Sequence, residues 1–276
     1  MIGDLCVYLD GGDLDDGRLA AAGQLATKFD AFVLGLYVNP SPNLYSYGEL
    51  AMAADFLDEI RRNSRERGDQ DVKVLSTKLD RLGAKSELRR RDVWDDALEL
   101  TVTREARAFD LFVTTRPYGF DNPAAHVSEA VLFGSGRPSF FVPPSMTGAM
   151  ALDRILIAWR NTRESARAVA EAMPFLSAAD NVTLAMVGDD DQSMAERAAE
   201  GSDIARHLDR HHVPVEVRPV PTGHGVAHTM LEEAQLSGAG LIVMGGYGHS
   251  RYREWILGGV TRDVLSLATI PVLTAH

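Results

Sequence analysis

Cysteine occurs once in the 276 residues, at Cys6. No disulfide can therefore close within the chain, and an oxidising compartment is not suggested. Cys6 lies in an apolar run and reads as a small buried hydrophobe. Long apolar stretches are missing as well. No run of about 18 apolar residues offers a membrane span, and no basic segment with a long apolar core opens the chain, so the expected location is cytoplasmic, with no membrane partner. Basic residues are in the minority, 28 Lys and Arg against 39 Asp and Glu, for a formal net charge of −11 and a pI near 5.2. Phosphate backbones and anionic lipids attract basic surfaces, so no nucleic-acid partner is expected. The short basic runs Arg61-Arg62 and Arg89-Arg90-Arg91 stand among acids and read as solvated faces. Enzyme signatures are lacking too. There is no G-x4-G-K-(S/T) phosphate loop and no G-x-S-x-G elbow. His224 and His228 share a helix face at i, i+4, as a metal site requires. No cysteine is near them and the Glu of an H-E-x-x-H motif is missing, so no metal is expected. No nucleophile–base or acid–base pair stands out, and no catalytic residue is assigned.

The apolar pattern alternates between strand-like runs and helical periodicity. Residues 2–10 read as a strand ending at Asp10-Gly11-Gly12. Asp15 and Asp16 precede a helix, and 31–38 form a second strand broken by Pro40 and Pro42. A long helical region follows over 48–82, bent or interrupted at 65–71. Then come a polar strand (85–91), a helix (93–108), a strand (110–115), a helix (122–133) and the strand 139–144. A small-residue linker, 145–153, precedes a second round: strand 154–161, helix 163–176, strand 181–188, helix 191–212, strand 213–220, helix 225–237 and a strand opening at Leu241. Such alternation predicts an α/β fold of parallel strands with right-handed crossovers. The fold class is two tandem open-sheet, Rossmann-like domains, 1–148 and 149–276, each a five-stranded, mainly parallel sheet.

The halves align in detail. Asp110 falls opposite Gly240 and Thr115 opposite Gly245, while His126-Val127-Ser128 falls opposite Gly259-Val260-Thr261. The second half carries glycines that the first lacks: Gly245, Gly246 and Gly248 directly after the apolar run Leu241 to Met244, then Gly258-Gly259 before a helical pattern from Val260. A glycine turn leading to a helix N-terminus forms a cradle of backbone N–H groups suited to phosphate.

The spacing of Gly245, Gly248 and Gly258 matches the G-x2-G-x9-G-(S/T) pattern of the universal stress protein (UspA) family, and the chain resembles a tandem member of that family along essentially its whole length. The last position of the pattern departs: Gly259 stands where the family has Ser or Thr, with Thr261 two residues further on. The resemblance implies a regulatory role in stress responses and a site for ATP or another adenine nucleotide in the second half. That site would draw on Gly245, Gly248, His249, Ser250, Gly258, Gly259 and Thr261. It would also use the strand ends at Ala158, Arg160 and Val187, since open α/β sheets bind ligands beyond the carboxyl ends of their strands. In the family an acid near the end of the first strand commonly sits by the nucleotide. The first half has Asp10 there without the glycines, and the second half has the glycines with Arg160 instead. Arg160 could pair a phosphate or simply face solvent. His249 and Ser250 could donate to phosphoryl oxygens or serve as a cap and an exposed histidine. Nucleotide is expected only in the second half, because Thr115-Arg116-Pro117 offers bulky side chains and a missing N–H.

UspA-like units pair through their last strands, so 139–144 and 270–276 are expected to pair within this one chain about a pseudo-twofold axis, leaving a homodimer open through other surfaces. The alternative is a nucleotide-dependent hydrolase or transferase using the same cradle. Asp189, Asp190 and Asp191 would be its only nearby acids, and they read equally well as helix-initiating residues.

Overall fold

The computed structural model describes residues 1–43, 54–146, 148–188, 194–246 and 259–276. In chain order the first elements are β1 (Asp4–Leu9), α1 (Asp15–Phe29), β2 (Phe32–Ser41), α2 (Ala54–Asp80), β3 (Ser86–Trp94), α3 (Leu98–Ala106), β4 (Leu111–Thr115), α4 (Ala125–Gly134) and β5 (Ser139–Val142). There follow β6 (Arg154–Ala158), α5 (Arg163–Leu176), β7 (Asn181–Gly188), α6 (Met194–Arg210), β8 (Val215–Pro221), α7 (Val226–Leu236), β9 (Leu241–Gly245), α8 (Val260–Leu267) and β10 (Val272–Ala275). The chain forms two compact units. One comprises Met1–Thr114 with His126–Arg137, the other Thr115–Ala125 with Pro138–His276.

The first unit orders its strands β3-β2-β1-β4 and the second β8-β7-β6-β9-β10-β5. Register repeats between them. Leu5 pairs with Val33 on one side and Leu111 on the other, and Val33 with Ser86. Ile155 likewise pairs with Val182 and Leu241, and Val182 with Val215. All these pairings are parallel, so both faces of the sheet need helical cover, which accounts for strands apolar at successive positions. Leu5, Val7, Leu34, Leu36 and Val113 are fully buried in one unit, as are Leu156, Leu184, Val243 and Leu273 in the other. The last strands pair as expected. β10 runs antiparallel to β5, with Val272 opposite Phe141 and Thr274 opposite Ser139, and this pairing draws β5 into the second unit.

Three local expectations are corrected. β2 does not break at Pro40 but runs on to Ser41, pairing with β3 as far as Trp94. β1 has already ended opposite Tyr37, so one side of β2 carries no neighbour there and tolerates a residue without N–H. The polar stretch 65–71 does not interrupt α2, which is continuous from Ala54 to Asp80. Its Gly68 is explained by crowding: a Cβ there would lie 2.4 Å from Arg90 and 2.8 Å from Asn39. α3 starts only at Leu98, after a single 3-10 turn over Asp95–Ala97. The expected start of the long helical region near residue 48 lies outside the described residues.

Each unit has a polar outer strand. On β3, Arg89 pairs with Glu105 and Glu87, Arg90 with Asp69 and Asp92, and Arg91 with Glu105. β8 carries Glu216, Arg218, Pro219 and Pro221, the kinds of residue that discourage pairing with another chain. The arginines of 89–91 are thus matched by acids rather than left as a cationic patch. No described helix is long and apolar enough to cross a membrane. Cys6 is buried, and burial, followed by the charge of Glu105, pushes its thiol pKa up.

Candidate functional site

Strand order defines where a ligand would enter. From β6 the chain moves outward through β7 and β8, then returns to the other side of β6 with β9 and β10. The direction reverses between β6 and β9, and their carboxyl ends bound the crevice at that switch point. Ala158 stands opposite Met244, one residue before Gly245. Ala158 is buried, Val187 at the end of β7 is half-buried, and Arg160 is exposed. Beyond β9, the Gly246 N–H donates to the Ala275 carbonyl at 2.9 Å, and the His276 ring nitrogen Nδ1 lies 2.9 Å from the Gly246 carbonyl oxygen.

Gly245 has a packing duty of its own. A Cβ there would come 2.6 Å from the Ser165 nitrogen and 2.7 Å from the Glu164 carbonyl carbon. The first turn of α5 therefore lies directly against β9 and only glycine admits it. Thr162 caps that turn by accepting the Ser165 N–H at 3.3 Å. Glu164 is buried. Burial is the largest single influence and opposes its ionisation, but the hydrogen bonds from Arg163, its own backbone N–H and Thr162, together with the Arg163 charge, outweigh it and hold the carboxyl below its ordinary pKa.

The helix that would face a phosphate is α8. Gly259 is its N-cap in extended conformation, with no side-chain hydrogen bond to the first turn. The first intrahelical bond runs from the Asp263 N–H to the Gly259 carbonyl at 3.0 Å. The N–H groups before it have no acceptor within the helix and sit at the positive end of its dipole. Thr261 is buried in the first turn. Of the sequence-derived site residues, Gly245, Gly259, Thr261, Ala158, Arg160 and Val187 are thus located; Gly248, His249, Ser250 and Gly258 lie outside the described residues, as do Asp189, Asp190 and Asp191.

In the first unit, the turn after β1 is held by a buried ion pair. Arg18 and Asp15 are both completely buried. Arg18 Nη1 donates to Asp15 Oδ1 at 2.9 Å and lies 3.1 Å from Asp10 Oδ2, and its guanidinium sits 5.2 Å from the Tyr8 ring centroid. The turn after β1 wraps the same carboxylate, with the Asp10 and Gly11 N–H groups donating to Asp15 at 3.3 and 2.8 Å. Gly11 has φ +79°, and a Cβ on it would meet the Asp71 carboxylate at 2.7 Å. Asp71 is held in turn by the Tyr37 hydroxyl at 2.7 Å. Asp15 and Asp16 were expected as helix-initiating acids, and Asp15 is more than that. The overlooked signal was Arg18, three residues on and on the same helix face. The second half has Ala158 and Ala168 where the first has Tyr8 and Arg18.

This cluster has a pH signature. Burial first, then the charge of Asp10, raises the Asp15 pKa from 3.8 to about 6, against the pull of Arg18 and the two N–H groups. The folded chain therefore holds this proton to a higher pH than the unfolded chain. Between about pH 4 and pH 6 the folded state binds more protons, so the contribution of Asp15 to stability falls as pH rises through that window and is flat above it. Relative to Asp15→Asn, the wild-type chain should lose stability in urea melts between pH 4 and pH 6, and a constant difference across that range would refute the assignment.

Comparison with known proteins agrees with this architecture. The family model of the universal stress protein family matches residues 152–276. Among solved structures, the chain is similar to a universal stress protein from Archaeoglobus fulgidus DSM 4304, with a TM-score of 0.74 at 17% identity over 99% of this chain and 95% of that one. It is also similar to a protein described as a universal stress protein from Pseudomonas aeruginosa UCBPP-PA14, with a TM-score of 0.57 at 15% identity over 99% and 93%. A functionally unknown protein from Pseudomonas aeruginosa PAO1 gives a TM-score of 0.53 at 16% identity over 99% and 92%. No curated protein matches the chain.

Proposed function

We propose, from the match of residues 152–276 to the universal stress protein family, that the chain is a cytoplasmic regulatory protein of two family units, 1–148 and 149–276, holding one adenine nucleotide, ATP foremost, in the second. In this reading Gly245, Gly248, His249, Ser250, Gly258, Gly259 and Thr261 surround the phosphates with Arg160 paired to them, and Ala158 and Val187 line the nucleoside side. The observation that carries it is the difference between the two switch points. Just before α4, the first unit's counterpart of α8, Asn122 Oδ1 accepts the Ala124 N–H at 3.0 Å. At the second, the N-cap of α8 is Gly259, which has no side chain to bond the first turn. The first satisfies an N–H donor from within the chain; the second suits an external anion.

Arg160 in place of an acid supports phosphate pairing over contacts to free ribose hydroxyls, since a cation at a strand end favours the more charged ligand. Mass spectrometry of small molecules released from the purified, denatured protein, together with calorimetric titration with ATP, AMP and cyclic AMP, tests the proposal. A single site per chain, with ATP bound most tightly, is expected. Two equivalent sites would refute the asymmetry, and no bound molecule with no heat at millimolar ligand would refute nucleotide binding altogether.

A further inference from the structure

Helix α8 has eight residues and is about 12 Å long, too short to be stable in isolation. Its carboxyl end is held by a segment from the other half of the sequence. Arg116 Nη1 donates to the Leu265 carbonyl at 2.7 Å and also to the Ser266 carbonyl. These are among the last carbonyls of the helix, which lack intrahelical donors, and a guanidinium there also meets the negative end of the dipole. Two neighbours of Arg116 join it. Arg262 on α8 lies 5.2 Å from the Tyr118 ring centroid. Gly119 has φ +85°, and a Cβ on it would fall 2.1 Å from the Ser266 carbonyl oxygen, so a side chain is excluded by both backbone conformation and space.

The segment is itself fastened. The Arg116 N–H donates to the Val142 carbonyl at 3.1 Å, Asn122 Nδ2 donates to the Arg116 carbonyl at 3.0 Å, and the Ala124 N–H donates to Asn122 Oδ1 at 3.0 Å. All these residues fall in the same compact unit. In sequence, Thr115 to Ala125 is the first repeat's counterpart of the glycine loop, with Thr115 opposite Gly245. We infer that this segment, no longer a phosphate loop, is a brace for α8, and that Arg116 and Gly119 are positioning residues that set the order of the helix and thereby the anion affinity at Gly259, without touching the ligand. The consequence for affinity rests on the nucleotide reading above; the bracing of the helix does not.

The two parts are separable in one experiment on the full chain. Hydrogen exchange of the α8 amides is measured without ligand, and ATP affinity is measured by calorimetry, for wild type, Arg116→Ala, Arg116→Lys and Arg107→Ala. Arg107 is the internal control. It bonds a comparable helix-end carbonyl, Gly134, at 3.0 Å through Nη2, at the end of α4. Arg116→Ala should speed exchange over Asp263–Leu267 about tenfold and weaken ATP about tenfold, the scale of one lost charged hydrogen bond. Strands β1 and β6 should exchange as in wild type. Arg116→Lys, which keeps a charged donor, should recover part of both effects, and Arg107→Ala should change neither. Unchanged α8 exchange in Arg116→Ala would overturn the brace. Faster exchange with unchanged ATP affinity would overturn its control of the site. Equal effects from Arg107→Ala would reduce Arg116 to a general stabiliser. If wild type binds no ATP, the nucleotide reading fails and the exchange arm still decides the brace.

Discussion

Replacing Arg18 by alanine is expected to lower the unfolding free energy by about 3–5 kcal/mol at pH 7, the cost of leaving a buried charge without its partner. Both Arg18 and Asp15 are fully removed from solvent. Asp15 would keep the N–H groups of Asp10 and Gly11 but lose the only cation within contact range among the described residues, while Asp10 nearby continues to repel it. The space vacated beside Tyr8 adds a packing loss. Urea denaturation at pH 7 measures the effect. The double variant Arg18→Ala/Asp15→Ala separates charge from volume: if the stranded carboxylate is the main cost, it should be more stable than Arg18→Ala alone. A loss below about 1 kcal/mol in Arg18→Ala would mean that water or another cation reaches Asp15.

Gly259→Ser is expected to strengthen ATP binding by one to two decades. At position 259 the backbone is already in the extended conformation usual for an N-cap, φ −85° and ψ 150°, so serine enters without strain. Its hydroxyl would stand where the family pattern places Ser or Thr and could donate to a phosphoryl oxygen. A hydrogen bond to a charged group contributes roughly 1.5–3 kcal/mol, which is the stated change in affinity. Capping alone predicts otherwise. If the serine oxygen only accepts from its own first turn, helix stability rises by a few tenths of a kcal/mol, and one N–H is withdrawn from the ligand. Calorimetry with ATP distinguishes the two: equal or weaker binding in Gly259→Ser would show that no phosphate lies against this helix end.

Much of the architecture was legible along the chain because it depends on local pattern. Helix α5 and strand β7 fall on the residues that periodicity marks, Arg163–Leu176 and Asn181–Gly188. A run that is apolar at every position has few alternatives to a strand covered on both faces. The errors arise where neighbours decide. Whether Pro40 ends a strand depends on whether a partner faces its missing N–H, and whether Gly68 bends a helix depends on what lies beside it. Neither is a property of the segment alone. The glycine spacing marked a switch-point loop, yet at Gly245 it did not reveal that the missing side chain makes room for the first turn of α5.

What the sequence by itself determined is the alternation of strands and helices, the repeat of that alternation, and the placing of glycines in only one copy, all consequences of hydrophobic period and backbone permissiveness within a few residues. What only the tertiary structure decided is how polar groups far apart in the chain are satisfied. Folding brought the Tyr37 hydroxyl to Asp71, 34 residues on, and carried Arg116 to the end of a helix 149 residues away. Charges and helix-end carbonyls must find partners once water is excluded. Which partner they find is set by packing geometry, which no spacing in the sequence encodes.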